Sequence, residues 1–284
     1  MNEQKTAILV DSGCDIARAQ REKYNIEVLP LHVMYPEKDY ADGVDIDPIM
    51  IYNRFPNEIP TTSTPSVAEV LDKFEEIKKE GYENVIAITI SSSLSGTCNT
   101  IRLAATEVED LNVFVFDTKN ISIGAGIFAI WASHKLEHGV PYQVLCRQLQ
   151  DKIRDSKVFF YMDTLKYLQH GGRIGKVAGT VGEMLRLKPL ISCDEAGSYY
   201  TVAKLRGSRL ARVRLTEEIV KYQFGHKAWL VVEEGDAHQE AMTIKEILEK
   251  TLIDKKILFE QQITATMAVN TGPGLVGVAV FLEP

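Results

Sequence analysis

The sequence predicts an α/β fold in two parts: an N-terminal βαβ domain built on a parallel sheet, and a smaller C-terminal α+β domain with a mixed sheet. In the first half, short apolar segments alternate with longer segments of helical periodicity, the pattern of parallel strands joined by helices. After about residue 157, strand-like segments follow one another more closely. We therefore place the domain boundary near Lys157, which gives domains 1–157 and 158–284.

Three strands and three helices are predicted in the first domain. The strands are TAILVD (6–11), NVIAITI (84–90) and NVFVFD (112–117), and the helices cover residues 64–81, 95–109 and 122–139. Ser66 and Glu69 have the spacing of a capping box, which favours a helix start there. Gly81 and Gly139 stand where a helix commonly ends, which supports the prediction that these segments are helices.

A further amphipathic segment, residues 141–156, predicts a helix that leads into the second domain. The strands predicted after it are residues 158–162, 188–194, 198–206, 227–235, 255–263, 265–270 and 274–282. Helices are predicted from about Ser208 and Ala237. The last two strands flank NTGPG, which is typical of a hairpin or a close strand pair.

Composition places the 284-residue chain, 45% hydrophobic and 25% charged, among ordinary globular proteins. The N-terminal MNEQKTAILV leads directly into a strand and resembles neither a signal peptide nor a membrane span. The four cysteines are far apart, with no C-x-x-C pair and no metal-finger spacing. We expect a cytoplasmic protein with reduced thiols, no disulfide framework, no metal and no cofactor.

Charge is distributed unevenly along the chain. The net charge is −7, yet residues 164–214 hold ten Lys or Arg against three acidic residues. Nucleic-acid binding depends mainly on cations that neutralise phosphates, so a net acidic chain is a poor candidate for it, although Arg206 to Arg214 could supply a local patch. The basic region instead suggests one anionic ligand or partner, or simply a solvated helix face.

Several short segments match or approach known sequence motifs, but their surroundings do not fit the sites that these motifs form. Gly272, Gly274 and Gly277 spell G-x-G-x-x-G, but the chain ends before the helix that would receive a pyrophosphate. HGGRIGKV lacks the first glycine and the final Ser or Thr of a P-loop. His134 and His138 spell H-x-x-E-H with Glu137, in what we predict is the last turn of a helix. No nucleotide or zinc site follows from these motifs.

Three segments are rich in small hydroxyl or amide residues: residues 61–63, 91–97 and 270–272. The first two precede predicted helices, and we expect the third to follow a strand. Loops at the carboxyl ends of parallel strands gather at one edge of the sheet, where helix N-termini present free N–H groups to an anion. These segments predict a carboxylate or phosphate site. Ordinary helix capping is the alternative, although it needs only one hydroxyl per helix.

Six segments of the chain resemble those of the DegV family, in the same order and spacing. They are DSGCD, IPTTSTPS, SSSLSGT, LKYLQHGGRIG, LKPLI and NTGPGLVG, and the resemblance covers essentially the whole chain. Characterised members act as the fatty-acid-binding subunit of bacterial fatty-acid kinase. The resemblance therefore implies two α/β domains that enclose an acyl chain, with its carboxyl group near their junction.

The resemblance also assigns residues to the carboxylate site. Thr62 and Ser63 match the family's Thr-Ser pair, and Ser95 matches the serine of its L-S-G-T segment. The family's last motif usually begins with a histidine, whereas this chain has Asn270, an amide that can donate a hydrogen bond but carries no charge. With their neighbours, the predicted ligand-binding residues are Thr62, Ser63, Ser95, Gly96, Asn270, Thr271 and Gly272.

Two arginines are expected to face a partner or the transferred phosphoryl group. Arg173, in the Gly-Gly-Arg-Ile segment, matches a family arginine with such a role, and Arg206 is a second candidate. Guanidinium groups suit phosphates and acidic surfaces, and Arg209 and Arg212 are expected to share a helix face. The alternative for all of them is a solvated surface position.

The function implied is that of a carrier for a long-chain fatty acid of the palmitate, stearate or oleate class. A separate kinase subunit would phosphorylate the bound carboxylate, and transient contact with a membrane is compatible with such a role. Candidates for lining an acyl tunnel are Ile123, Ile127, Phe128, Ile130, Trp131, Met162, Leu165, Leu168, Met184 and Leu185.

Two other functions remain open at this stage. One is a hydrolase or transferase with Ser95 as nucleophile, which would need a base such as His32 or His170 within reach. The other is a regulatory protein that binds a small acidic metabolite at the same place.

Overall fold

The described part of the chain forms three β-sheets with helices packed around and between them. This computed structural model describes residues 2–179 and 187–283. The strands are β1 (Thr6–Asp11), β2 (Ile26–Leu29), β3 (His32–Met34), β4 (Asp39–Ala41), β5 (Thr61–Ser63), β6 (Asn84–Thr89), β7 (Asn112–Asp117), β8 (Ser156–Tyr161), β9 (Lys188–Cys193), β10 (Tyr199–Leu205), β11 (Lys227–Gly235), β12 (Lys255–Gln262) and β13 (Leu275–Glu283).

The α-helices of the described residues occupy most of the connections between strands. They are α1 (Arg18–Tyr24), α2 (Pro48–Arg54), α3 (Val67–Lys79), α4 (Thr97–Glu107), α5 (Ile123–Glu137), α6 (Tyr142–Asp151), α7 (Lys166–His170), α8 (Gly207–Gln223), α9 (His238–Thr251) and α10 (Ala265–Thr271). The predicted capping box of α3 is confirmed: Glu69 N donates to Ser66 Oγ at 3.2 Å, and Ser66 N donates to the Glu69 carboxylate at 2.8 Å.

The N-terminal sheet is parallel throughout, in the order β2-β1-β6-β7. This confirms the predicted βαβ domain and its three strands, to which the structure adds β2. A separate antiparallel sheet, β4-β3-β5, was not predicted. Each of its strands has three residues, too few for an alternating apolar pattern to be recognised.

The second sheet is mixed, as predicted, and has the order β10-β9-β8-β13-β11-β12. Among its described strands, β11 and β12 are parallel to each other and the remaining neighbours are antiparallel. The prediction of a strand over residues 265–270 is wrong, because this segment forms the helix α10. The predicted hairpin at NTGPG is therefore wrong too, and the segment joins α10 to β13.

Helix α5 lies between the two large sheets. All but three of its 15 residues are buried, as expected for a helix that is apolar on every face. It packs against β1 and β6 on one side and β8 and β13 on the other. One apolar cluster therefore runs through both halves of the chain, with α5 at its centre.

Glycine at position 126 allows the turn Ser12–Cys14 to touch this helix. A Cβ on Gly126 would lie 2.3 Å from the backbone oxygen of Cys14, which is too close for any side chain. Because both partners are backbone or buried core, neither can move without disturbing the packing of β1 on α5.

We expect Gly126→Ala to lower the free energy of unfolding by about 1–3 kcal/mol, the usual cost of overpacking. The direction of the change in stability is informative, because a Gly→Ala substitution inside a helix otherwise stabilises the protein by up to about 1 kcal/mol. Urea unfolding followed by circular dichroism measures the change. Gly179→Ala is the control, since no described atom lies within 4 Å of the position its Cβ would take. An unchanged or raised stability of Gly126→Ala would contradict the close approach.

Candidate functional site

A small cavity of about 40 Å³ lies where β5, the loop after β6, the start of β10 and α10 meet. Five of the predicted site residues line it: Thr62, Ser63, Ser95, Arg173 and Asn270. Three polar residues that were not predicted also line it, namely Thr64, Tyr199 and Thr266. The apolar part of the wall consists of Leu31, Ile90, Leu94, Ile121 and Met267. Segments far apart in the sequence thus converge on one point.

The hydroxyl-bearing segments are held by local structure. Thr62 and Ser63 lie in β5, whose pairing with β3 sets Thr62 opposite Val33 and Ser63 opposite His32. Ser95 lies in the loop between β6 and α4, where its Oγ accepts from Thr97 N at 3.3 Å. The hydroxyls of Ser95 and Thr97 are 2.8 Å apart. The Ser95 loop follows β6 of the parallel sheet, as expected, but the expectation is wrong for Thr62 and Ser63, which lie in a strand of the separate antiparallel sheet.

Asn270 reaches the cavity from α10 and not from a strand end. Its Nδ2 donates to the backbone oxygen of Thr266 at 3.0 Å, one turn earlier in the helix. Its neighbours have other roles: the Thr271 hydroxyl donates to the Met267 oxygen at 2.9 Å. Gly272 has φ +69° and packs so closely on the Tyr167 ring that a Cβ would lie 2.2 Å from it.

Gly96, Thr271 and Gly272 were predicted to bind the ligand but do not line the cavity. Gly96 is the N-cap residue of α4, and a Cβ there would lie at an ordinary contact distance, 3.5 Å, from the Thr64 methyl group. The structure therefore gives these three residues positions that shape the backbone around the cavity. Spacing in the sequence could not separate them from their neighbours that face inward.

The charge at the cavity comes from Arg173. This half-buried residue donates from Nε to the Leu94 oxygen at 3.4 Å and from Nη1 to the Gly171 oxygen at 2.5 Å. Among the described residues that line the cavity there is no carboxylate and no histidine. Arg206 lies elsewhere, exposed at the start of α8. The arrangement can therefore hold an anion through one guanidinium and several hydroxyls.

The geometry does not support Ser95 as a nucleophile. His32 is 3.2 Å from Asp39 and 2.9 Å from Glu69, and neither it nor His170 lines the cavity. The hydrogen bonds of the Ser95 hydroxyl are to Thr97 and not to a base. A serine hydrolase needs a base in contact with its nucleophile, which this cavity lacks among the described residues.

The residues predicted to line an acyl tunnel lie in the core and not at the cavity. The eight described ones are buried, and all belong to the apolar cluster around α5. None borders the cavity in this structure. The other two, Met184 and Leu185, lie outside the described residues.

Buried carboxyl groups hold the start of α10. Asp15 Oδ1 accepts from Thr264 N at 2.9 Å, and Asp42 Oδ1 accepts from Ala265 N at 3.0 Å. These are backbone donors of the first turn of α10, which have no partner within the helix. Because Asn270 lies on the same helix, the two carboxyl groups also set its position at the cavity.

Asp15 and Glu233 share one hydroxyl at the junction of the two sheets. Ser122 Oγ is hydrogen-bonded to the Asp15 carboxyl group and lies 2.5 Å from Glu233 Oε2. A hydroxyl has one proton to donate, so one of the two acids must itself donate, in its protonated form. Burial, the largest cause, raises the pKa of Glu233 to about 7 and that of Asp15 well above its ordinary value. The pair therefore shares a proton near neutral pH.

Within the described ranges, no helix is long and apolar enough to cross a membrane. Nor do residues 2–179 and 187–283 contain a cluster of three or more His, Cys, Asp or Glu suited to a metal ion. His134 lies in the last turn of α5 and His138 is its C-cap residue, with ring centroids 4.3 Å apart, so the helix ends where the sequence predicted.

Comparison with known proteins gives a consistent result along the whole chain. A family model described as "Uncharacterised protein, DegV family" matches residues 5–283. A DegV domain-containing protein of Clostridium perfringens is 39% identical over 283 residues, which cover 99% of each chain. Another from Clostridium acetobutylicum is 36% identical over 278 residues, covering 98% of this chain and 99% of that protein.

Solved structures share the fold. A DegV family protein from Thermus thermophilus, described by its fatty-acid binding, superposes with a TM-score of 0.91 at 27% identity over 100% of both chains. DegV of Bacillus subtilis, described as a fatty acid binding protein, gives 0.89 at 26% identity over 100% of both. A stearic-acid-binding protein from Eubacterium ventriosum gives 0.89 at 28% identity over 98% of both.

We expect the shared proton to make stability depend on pH. The native state keeps this proton above the ordinary Glu pKa of 4.5, so it binds more protons than the unfolded chain until the pH passes about 7. The stabilisation is complete below about pH 4.5 and is lost as the pH rises through 7. In Glu233→Gln the amide needs no proton. Between pH 5 and 8, the free energy of unfolding in urea should therefore fall less in this variant than in the wild type, and the two decreases should differ by at least about 1 kcal/mol.

Asp11 and Asp42 are also buried with raised pKa values and contribute a slope of the same sign, so only the difference between variant and wild type is informative. Glu3→Gln, an exposed acid, is the control. Identical pH profiles for the wild type and Glu233→Gln would contradict the shared proton.

Proposed function

The chain belongs to the DegV family, and from this membership we propose that it binds a long-chain fatty acid, with the carboxylate held in the cavity of Thr62, Ser95 and Arg173. The observation that carries the proposal is the convergence of hydroxyl groups and one guanidinium on a cavity that no described carboxylate lines. Proteins of the same fold are described as fatty-acid-binding. Cation and hydroxyl donors without an acidic neighbour are what a carboxylate requires.

In energetic terms, the acyl tail of the fatty acid supplies the affinity, and its carboxylate head sets the orientation. Each buried methylene contributes roughly 0.8 kcal/mol, so a long chain gains on the order of 10 kcal/mol before ordering costs. Each hydrogen bond to the charged head adds about 1.5–3 kcal/mol and offsets the loss of its hydration. Three or four donors at the cavity are sufficient to hold the carboxylate.

The tail needs more room than the present cavity offers. Its volume, about 40 Å³, is far below the roughly 300 Å³ of the smallest ordinary ligand pockets. The apolar side chains that line the cavity, among them Ile90, Ile121 and Met267, therefore have to move apart when the acyl chain enters. We propose that the tail enters here, between the parts formed by residues 1–157 and 158–284.

We further propose that the bound carboxylate is presented to a kinase subunit. Transfer of a γ-phosphoryl group to one carboxylate oxygen would give an acyl phosphate and ADP. This chain would act as the lipid-binding subunit and not as the enzyme, working in the cytoplasm with transient contact with a membrane. Arg173, beside the cavity, would face the transferred group, and exposed Arg206 would face the partner.

A small acidic metabolite is the second candidate ligand, and the volume of the cavity favours it. Such a ligand would require less movement of the core than an acyl tail. Organic extraction of the purified protein followed by mass spectrometry separates the two. We expect a long-chain fatty acid in amounts approaching one per chain. A protein that yields none and takes up neither palmitate nor oleate would contradict the fatty-acid proposal.

Removing hydroxyls at the head should weaken binding selectively. We expect Thr62→Val and Ser95→Ala each to weaken palmitate binding about ten- to a hundredfold, the value of one hydrogen bond to a charged group. Fluorescent fatty-acid displacement measures it. Thr61→Val, an exposed neighbour in β5 that does not line the cavity, is the matched control. A loss in Thr61→Val as large as that in Thr62→Val would show that the effect comes from a disturbed β5 and not from the carboxylate contact.

For Arg173→Ala we expect palmitate affinity to fall about ten- to a hundredfold, as for the hydroxyl variants, and phosphorylation by the kinase subunit to fall at least about a thousandfold. Phosphorylation falls further because hydroxyls remain to hold the carboxylate, whereas developing phosphoryl charge requires a cation. Affinity and phosphorylation are measured on the same preparations. A loss of binding as large as the loss of phosphorylation would assign Arg173 to the head site alone.

A further inference from the structure

A second and much larger cleft, about 670 Å³, lies beside the hairpin of β9 and β10. Neighbouring residues of β10 point to opposite faces of the strand. Tyr199 therefore lines the small cavity proposed to hold the carboxylate, the head-group cavity, while Tyr200 lines the cleft. The volume is within the range of ordinary small-molecule sites. The cleft shares no lining residue with the cavity.

The acidic residues of this cleft are already committed to cations. Asp194 pairs with Lys176 and Glu195 pairs with Arg154 at 3.4 Å. Glu218, the third acid on the wall, pairs with Arg214 in the same helix. Asp194 and Glu195 also act on Lys157 through space and partly oppose the lowering of its pKa by burial, but neither forms an ion pair with it.

Two lysines of the cleft have no carboxylate partner among the described residues. Lys157 is half-buried, donates to the backbone oxygen of Cys193, and lies over the Tyr200 ring at 5.4 Å from its centroid. Lys221 is exposed at the rim. Lys119, by contrast, is 2.6 Å from Asp117. Among the described residues, the lining cations without an ion pair are thus Lys157 and Lys221.

Burial makes the positive charge of Lys157 costly, and it lowers the pKa of this residue. An anion placed against the ammonium group would offset that cost, as a half-buried ion pair does more effectively than an exposed one.

Aromatic rings form the apolar wall of the cleft. Tyr222 is fixed by its hydroxyl, which donates to the Arg154 oxygen, and its ring meets Phe159 edge-on at 6.4 Å. Tyr200 is held under Lys157. Fixed rings beside cations favour a ligand that combines negative charge with a flat apolar body.

We propose that this cleft is a second ligand site, separate from the head-group cavity, for a small phosphate monoester that carries an aromatic or heterocyclic ring. The two ammonium groups of Lys157 and Lys221 bind the dianionic phosphate, and the ring lies against Tyr200 and Tyr222. Lysine suits this task because its ammonium group is a point charge that accepts any orientation of the phosphate.

Isothermal titration calorimetry of the full chain with phenyl phosphate tests the site, with inorganic phosphate and phenol as partial probes. We expect saturable one-to-one binding of phenyl phosphate, several-fold weaker binding of inorganic phosphate, and none of phenol. Lys157→Met, which keeps an unbranched apolar side chain over Tyr200, should weaken the binding of phenyl phosphate about tenfold, and so should Lys221→Gln. Lys227→Gln, an exposed lysine outside the cleft, is the matched control.

Failure of phenyl phosphate to bind saturably would overturn the proposal. So would equal weakening in Lys221→Gln and Lys227→Gln, which would indicate general attraction to a basic surface. Titrations with and without saturating palmitate separate the two sites. Phenyl phosphate affinity should be unchanged by palmitate, and displacement by palmitate would show that the probe had entered the head-group cavity instead.

Discussion

The burial of α5 on every side is the constraint on which the rest of the structure depends. A helix without a polar face must be covered all round, and here the parallel sheet covers one side and the mixed sheet the other. Glycines make the fit possible: Gly126 admits the Cys14 backbone, and Gly124 admits the Asn120 side chain, which a Cβ would meet at 2.8 Å. The two halves of the chain are thereby joined through one apolar core.

Covering α5 also removes water from its N-terminus, and the polar groups there have to satisfy one another. Ser122, the N-cap residue, contacts Asp15 from the first half of the chain and Glu233 from the second. The Asp15 carboxyl group continues the connection to Thr264 at the start of α10. In this way the junction between the sheets and the helix that carries Asn270 are parts of one hydrogen-bonded unit, and the head-group cavity lies next to it.

Which elements could be predicted follows from how their residues are exposed. Helices α3 and α6 have one buried and one polar face, so their period is visible in the sequence. Helix α10 is buried along residues 265–269, and a short apolar run buried on all sides carries no helical period, so it was mistaken for a strand. The small sheet β4-β3-β5 was missed because its strands are too short.

The sequence alone determined the fold class, the longer strands and helices, and the hydroxyl segments containing Thr62 and Ser95, because local periodicity and residue chemistry depend on neighbouring positions in the chain. Only the tertiary structure decided that Tyr199 and Thr266 join the cavity while Thr271 and Gly272 turn away from it. It also decided that Asp15 and Glu233 share a hydroxyl, although they are 218 positions apart. Such contacts depend on the packing of two sheets on one helix, and residues that meet in this way leave no common pattern along the chain.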